Sequence, residues 1–401
     1  MLYRNIIKPL LFFLSIERAH RIALLALRVL GMVPGGRWLL RKVYAVESPA
    51  LEREVFGLRF RNPVGLAAGF DVDADVVREL SALGFGFVEV GTVTPRPQGG
   101  NPRPRVFRLP RDRATVNRLG FPNRGFDRMQ ERLREAHEET VVGCNIGCNT
   151  ATPPEKVPAD YLKVFRNLYQ YADYFTVNIN CDNGTQECQA PSTERLMQIL
   201  EPLFDFRRGQ NQYRPILLKI SPDLTDEEVD RMTDLMIGTP LDGLVAVSGT
   251  NSRKGLETSH SSLIKMGVGR LGGAPLRNRA VEVVRRIHER SHGTYPIIGV
   301  GGLMSPADVW AMLDAGASLV QICTGFIYEG PGFAGKICRE LLAARTPDAE
   351  KQDAETQGAE GQSAEGRSAE APDAQTPGAE TPDAGVPDAR VSDAGTQEKS
   401  E

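Results

Sequence analysis

Eight times between residues 63 and 325 the chain repeats one pattern: a short β-rich run, mostly ending in Gly, Asn or Thr, followed in nearly every case by an amphipathic helical stretch. Alternation of this kind is the signature of parallel βα units, and eight such units suit a closed (β/α)8 barrel, the TIM barrel. The expected strands are PVGLAA (63–68), FVEVGTV (87–93), VVGCNIG (141–147), YFTVNIN (174–180), ILLKI (216–220), GLVAVS (243–248), IIGVGG (297–302) and LVQICTG (319–325). The helical stretches between and after them include DADVVRELSALG, FDRMQERLREAHE, DYLKVFRNLYQY, TERLMQILEPLFDF and PLRNRAVEVVRRIHER.

In a barrel of this type the active site lies at the C-terminal ends of the strands. Those ends carry AAGFDVD (67–73), GTVTPRP (91–97), NIGCNT (145–150), NINCDNGT (178–185), KISPD (219–223), VSGTN (247–251), GVGG (299–302) and CTGF (323–326). Asparagine is over-used there: Asn145, Asn149, Asn178, Asn180 and Asn183, with Asn117 in the loop after the second strand. A carboxamide offers a planar acceptor and two donors, so several can read a flat heterocycle; ordinary turn usage accounts for one or two of them. The glycine-bearing turns GVGG and CTGF follow strands seven and eight, where barrels often bind a phosphate through backbone N–H groups. With Lys219 at a central strand end they suggest a phosphorylated flat cofactor such as FMN. The competing reading of Lys219 is a core lysine paired to a carboxylate.

The ends of the chain differ from its middle. Residues 1–47 form a basic amphipathic helical segment, read as a helical pair over 1–31 whose apolar stretches are broken by Pro9 and by Glu17, Arg18 and Arg21. Neither stretch approaches the roughly 20 apolar residues a membrane span needs. The pattern fits a segment lying in a membrane interface, or helices that simply pack on the main domain. From Thr346 to Glu401 the chain has 14 acidic and 4 basic residues and no Leu, Ile, Phe, Tyr or Trp, so this tail is read as disordered. The formal net charge of −3 therefore joins a basic body to an acidic tail. The expected organisation is 1–47, a barrel over 48–345, and the tail 346–401. No secretory signal is visible, so the six cysteines are expected as free thiols. The C-x3-C and C-x6-C spacings are unlike a metal knuckle, and no metal is expected. Nor is a nucleic-acid partner.

The stretches NPVGLAAGFD (62–71), FGFVEVGTVTPRPQGGNPRPRVFRLP (85–110), NRLGF (117–121), DYFTVNI (173–179) and PIIGVGGLMSPADVWAMLDAGASLVQICTGFIYEGPG (296–332) resemble dihydroorotate dehydrogenases of class 2, the quinone-linked, membrane-associated form. The resemblance covers roughly residues 1–344. It implies FMN in the barrel, oxidation of dihydroorotate to orotate for pyrimidine (UMP) synthesis, reoxidation by a membrane quinone, and an N-terminal segment forming the quinone tunnel. It further implies a monomer held peripherally on the cytoplasmic side of the cell membrane. Carried over by position, the FMN set is Ala68, Gly69, Thr92, Asn145, Asn178, Lys219, Val247, Gly273, Gly302, Cys323 and Thr324. The substrate set is Asn117, Arg118, Leu119, Gly120, Phe121, Asn178, Asn183, Ser248 and Gly249, and the base is Cys181.

Departures from the family pattern gather on the substrate side. Val72 stands where a lysine would meet the substrate carboxylate, Cys148 replaces another lysine, and Val247, Ser248 and Gly249 replace Thr, Asn and Thr. Arg270 replaces a glycine. Cys181 stands for the class 2 serine; the soluble class uses cysteine there, and a thiol of reference pKa about 8.5 is the better base at neutral pH. The neighbouring Asp182, in place of proline, opposes thiolate formation. Three readings follow: a working quinone-linked enzyme with an altered pocket, a paralogous FMN oxidoreductase acting on another flat ring, or a non-catalytic flavin-binding relative.

Overall fold

The structure, a computed structural model, describes residues 3–136, 140–179 and 192–344. A hairpin of β1 (Arg53–Val55) and β2 (Leu58–Phe60) precedes the barrel. The barrel strands are β3 (Val64–Leu66), β4 (Phe87–Val93), β7 (Val141–Ile146), β8 (Tyr174–Asn178), β9 (Ile216–Ile220), β10 (Gly243–Ala246), β12 (Ile297–Val300) and β13 (Leu319–Ile322). They are joined in parallel in chain order, and β13 closes on β3 through Val320 opposite Val64. All eight expected strands are present.

Burial explains why these runs read as nearly continuous apolar segments. Strands of a parallel barrel are covered by helices outside and filled by side chains inside, and every residue of β4, β8 and β9 is buried. At the N-terminal end, Phe60 of the hairpin packs edge-on against Phe87, ring centroids 5.1 Å apart. Val55 and Phe60 join Tyr174, Leu217, Val245, Ile298 and Leu319 in one apolar cluster, closing that end.

Three short strands lie outside the barrel: β5 (Val106–Leu109), β6 (Ala114–Asn117) and β11 (Arg270–Gly273). They form an antiparallel sheet in the order β11-β6-β5. This corrects the expectation that Asn117 sits in a loop: it ends β6, opposite Arg270 on β11 and Val106 on β5.

Over residues 3–32 the N-terminal segment is the helical pair expected, and a third helix follows it. A π turn (Tyr3–Ile7) leads into α1 (Lys8–Phe13), followed by α2 (Ile16–Met32) and α3 (Gly36–Tyr44). Pro9 lies in the first turn of α1, where its missing N–H is not needed, so it starts a helix rather than breaking one. The segment is pinned to the end of the barrel chain. Tyr3 donates its hydroxyl to the Ile327 carbonyl (2.7 Å), Arg4 pairs with Glu329 (3.2 Å), and Phe12 meets Tyr328 edge-on. Arg108 of β5 stacks on Phe12 and donates to the carbonyls of Leu11, Phe12 and Leu14, the last at 2.6 Å. It thereby takes up carbonyls that the end of a short helix leaves unpaired.

The outer face is apolar. Leu10, Phe13, Leu25, Val29, Met32, Trp38, Leu39 and Val43 are all exposed, Phe13 by 87%. Beyond residue 44 the large exposed apolar side chains among the described residues are Tyr213, Ile237, Ile264 and Val268. No single described helix is long and apolar enough to cross a membrane, and α2 and α3 are bent by 114° at their junction.

Candidate functional site

Inside the barrel, beneath the strand ends, one carboxylate gathers donors from three other strands. Glu89 of β4 is fully buried. Its Oε1 accepts from Asn145 Nδ2 of β7 (2.8 Å). Its Oε2 accepts from Tyr174 (3.2 Å) and Thr176 (3.1 Å) of β8 and from Gln321 Nε2 of β13 (2.7 Å). Lys219 Nζ of β9 lies 3.9 Å from Oε1. The carboxylate that a core lysine would want is therefore present, yet Lys219 also sits at the site. Burial, with Glu89 adding to it, pushes Tyr174 well above the usual phenol range.

One step higher, Thr92 donates its hydroxyl to Asn145 Oδ1 (2.7 Å). Asn178 Nδ2 donates to Thr92 Oγ1 (3.1 Å) and to Asn145 Oδ1 (3.2 Å). Thr92, Asn145, Asn178 and Lys219 are thus brought together as buried polar groups. Asn149 goes elsewhere: its carboxamide bonds Arg96 N, Arg96 O, Thr94 Oγ1 and Gln98 Oε1, bracing the 94–98 loop. Across the rim, Gly69 N donates to Gly91 O and Gly91 N to Val72 O, which places Ala68, Gly69 and Val72 against Thr92.

The turns after β11, β12 and β13 converge. A side chain on Gly273 (φ +111°) would run into Ala114 Cα at 2.7 Å and Thr324 Cγ2 at 3.1 Å; one on Gly302 (φ +73°) would meet Arg277 Cα at 2.4 Å. Only glycine fits either position. Cys323 caps the short helix Thr324–Glu329, and Thr324 Oγ1 lies 3.3 Å from Thr115 Oγ1. Burial pushes the Cys323 thiol up, with Lys219 acting in the opposite direction. Val247, fully buried, anchors the rim by donating to the Val300 carbonyl (2.9 Å). This glycine cradle, with a buried lysine and buried carboxamides beside it, fits a flat, phosphorylated cofactor.

On the substrate side, Arg118, Leu119, Gly120 and Phe121 follow Asn117 and build the loop. The Arg118 guanidinium donates to the carbonyls of Pro104, Met266 and Val268. Leu119 O accepts from Asn101 N, and the carbonyls of Gly120 and Phe121 accept from Gln98. Buried Arg105 grips the carbonyls of Gly99 and Asn101 and pairs with Glu17 of α2 (2.9 Å), tying this loop to the N-terminal segment. Gly249 lies against Arg270, whose guanidinium is 3.8 Å from Asp223. Ser248 Oγ is buried and finds no hydrogen-bond partner among the described residues. Asn251 is exposed, its backbone N–H held by Asp223. Cys181 and Asn183 lie outside the described residues.

Two groups at the site carried no mark in the sequence reading. Glu89 is the one charged residue of the FVEVGTV run, an inward position that itself was a signal. His20 of α2 stands 2.7 Å from the Phe70 carbonyl and edge-on to the Phe70 ring, and its burial lowers its pKa. A lone histidine in an apolar helix offers no such signal.

Barrel and site together define a (β/α)8 enzyme built around a phosphorylated ring cofactor. The dihydroorotate dehydrogenase family model matches residues 50–344, and the chain belongs to that family. The dihydroorotate dehydrogenase (quinone) of Christiangramia forsetii is 43% identical over 341 residues, covering 85% of this chain and 99% of the relative. That of Thermobifida fusca is 44% identical over 359 residues, covering 87% and 94%. Among solved structures, DHODH from Eimeria tenella in complex with ferulenol superposes with a TM-score of 0.73 at 32% identity, covering 83% of this chain and 92% of that one.

Proposed function

We propose that this chain oxidises dihydroorotate to orotate in pyrimidine (UMP) synthesis as an FMN-dependent, quinone-linked enzyme, working at the cytoplasmic surface of the membrane. The observation that carries the reading is the single hydrogen-bonded group formed by Thr92, Asn145 and Asn178 beside Lys219, at the strand ends of a family barrel. Bound FMN supplies a two-electron acceptor for the hydride leaving the substrate ring. Thr92, Asn145, Asn178 and Lys219 present polar atoms to the cofactor ring. Ala68, Gly69 and Val247 pack its edge, and Gly273, Gly302, Cys323 and Thr324 receive its phosphate.

Asn117, Asn178 and Asn183 orient the substrate ring, with Ser248 and Gly249 beside it and the loop from Arg118 to Phe121 closing over it. Cys181 removes the ring proton; its thiol is closer to neutral pH than an alcohol would be. Val72 brings no charge to the substrate carboxylate, and a charge-assisted hydrogen bond lost there costs about 1.5–3 kcal/mol of binding. The exposed apolar face of α1–α3, flanked by Arg18, Arg21, Arg28, Arg37, Arg41 and Lys42, supports the membrane surface as the place of work.

The test is anaerobic. Protein carrying yellow FMN should bleach on addition of dihydroorotate, and Cys181→Ala should keep FMN but reduce it far more slowly. Bound FMN that stays oxidised would overturn the substrate assignment. It would favour a paralogue for an uncharged ring, the reading that the neutral Val72 and a Ser248 Oγ unpartnered among the described residues support.

A further inference from the structure

We propose that Glu89, deep inside the barrel, is the positioning residue of the cofactor site: it fixes which way the Asn145 and Asn178 carboxamides face and offsets the charge of Lys219. The inference rests on the FMN reading above.

Every described partner of Glu89 is a donor. Tyr174, Thr176, Gln321 and Asn145 all turn hydrogens toward its two oxygens. An ionised carboxylate accepts only, so the amide nitrogen of Asn145, not its oxygen, must face Oε1. Asn145 Oδ1 is then forced upward, where it takes the one hydroxyl hydrogen of Thr92. With that hydrogen spent, Thr92 Oγ1 is an acceptor, and Asn178 must turn Nδ2 toward it. Both amide hydrogens of Asn178 are thereby directed at Thr92 and Asn145. Orientation set at the carboxylate thus passes through one hydroxyl and both carboxamides to the cofactor site.

Charge follows the same route. Lys219 Nζ, 3.9 Å from Glu89, faces the same site. A buried charge is costly to keep, and here four donors and a nearby lysine hold it in place. Its presence is explained by what it does to the groups above it.

The experiment compares wild type, Glu89→Gln and the exchange Glu89→Gln with Gln321→Glu, reading the midpoint potential of bound FMN and FMN affinity by fluorescence. The exchange keeps one carboxylate in the same buried cluster but moves it to β13, away from Asn145 and Lys219. Glu89→Gln removes a negative charge 3.9 Å from Lys219, which favours the electron-rich reduced flavin. Both variants should shift the potential upward by at least about 30 mV, a tenfold change in the two-electron equilibrium. FMN should bind at least about tenfold more weakly, because a glutamine can donate to Asn145 and let the relay flip. If Glu89→Gln does not fold, the exchange variant alone decides. Wild type that takes up no FMN would overturn both the functional reading and this inference. FMN bound to wild type with unchanged potential and affinity in the folded variants would overturn the inference alone.

Discussion

Arg108→Met tests whether one side chain holds α1 on the barrel. In the wild type the guanidinium donates to Leu14 O at 2.6 Å, Leu11 O at 3.2 Å and Phe12 O at 3.3 Å, and stacks over Phe12 at 4.5 Å. A hydrogen bond to a charged group contributes about 1.5–3 kcal/mol, and a cation over an aromatic face about 0.5–2 kcal/mol. Methionine keeps much of the packing volume, so the loss is on the order of 4 kcal/mol. A six-residue helix has almost no stability of its own. What remains is the Tyr3 hydroxyl, the Phe12–Tyr328 contact and the partly exposed Arg4–Glu329 pair. Local opening of α1 should therefore rise by about 10² to 10³-fold, since each 1.4 kcal/mol is a factor of ten. Hydrogen exchange followed by mass spectrometry should show residues 8–14 losing protection while the barrel strands keep theirs. Quinone turnover should fall more than flavin reduction by dihydroorotate. Unchanged exchange over 8–14, or equal loss of protection in β3 and β13, would refute the reasoning.

Further tests address other parts of the molecule. Burial raises Asp71 from 3.8 to about 7 despite hydrogen bonds from the Asp75 and Val76 amides. The folded state holds that proton more tightly than the unfolded chain, so stability should fall as pH rises from about 4 to 7, by at most about 4 kcal/mol. Denaturant midpoints at pH 5 and 7.5 should differ less in Asp71→Asn than in wild type; an equal or larger difference would count against it. Gly302→Ala places a methyl group 2.4 Å from Arg277 Cα at a left-handed φ of +73°, and should purify with little FMN by its visible absorbance. Replacing exposed Phe13 and Leu25 together by Glu should cut binding to anionic vesicles at least tenfold, burial of each being worth about 1.5–3 kcal/mol, while leaving anaerobic flavin reduction intact.

The barrel was legible because its strands are buried on both faces, which writes a continuous apolar run into each of them. The β5-β6-β11 sheet was not. VFRL, ATVN and RLGG are four residues each, and β11 pairs with β6 across more than half of the barrel's length in sequence. Residue type alone also failed to separate the asparagines. Asn145 lies near the end of β7 and Asn149 four residues on in the turn after it, yet one faces Glu89 and Thr92 and the other braces the 94–98 loop. Direction along a strand end depends on neighbours brought from other strands, and those are fixed only when the barrel closes.

The long reach between the N-terminal helices and the last βα unit has a consequence for how the molecule is made. Tyr3, Arg4 and Phe12 leave the ribosome first, yet their partners Ile327, Glu329 and Tyr328 are among the last described residues to appear, 324 positions later for Tyr3. At about 5–20 residues per second this is an interval of roughly 15–65 s. Throughout it, the faces of Tyr3, Arg4 and Phe12 that meet residues 327–329 are without that cover, while α2 finds partners much sooner, in Phe70 and Arg105. Docking of the first helix on the last βα unit is therefore among the last long-range contacts that synthesis permits.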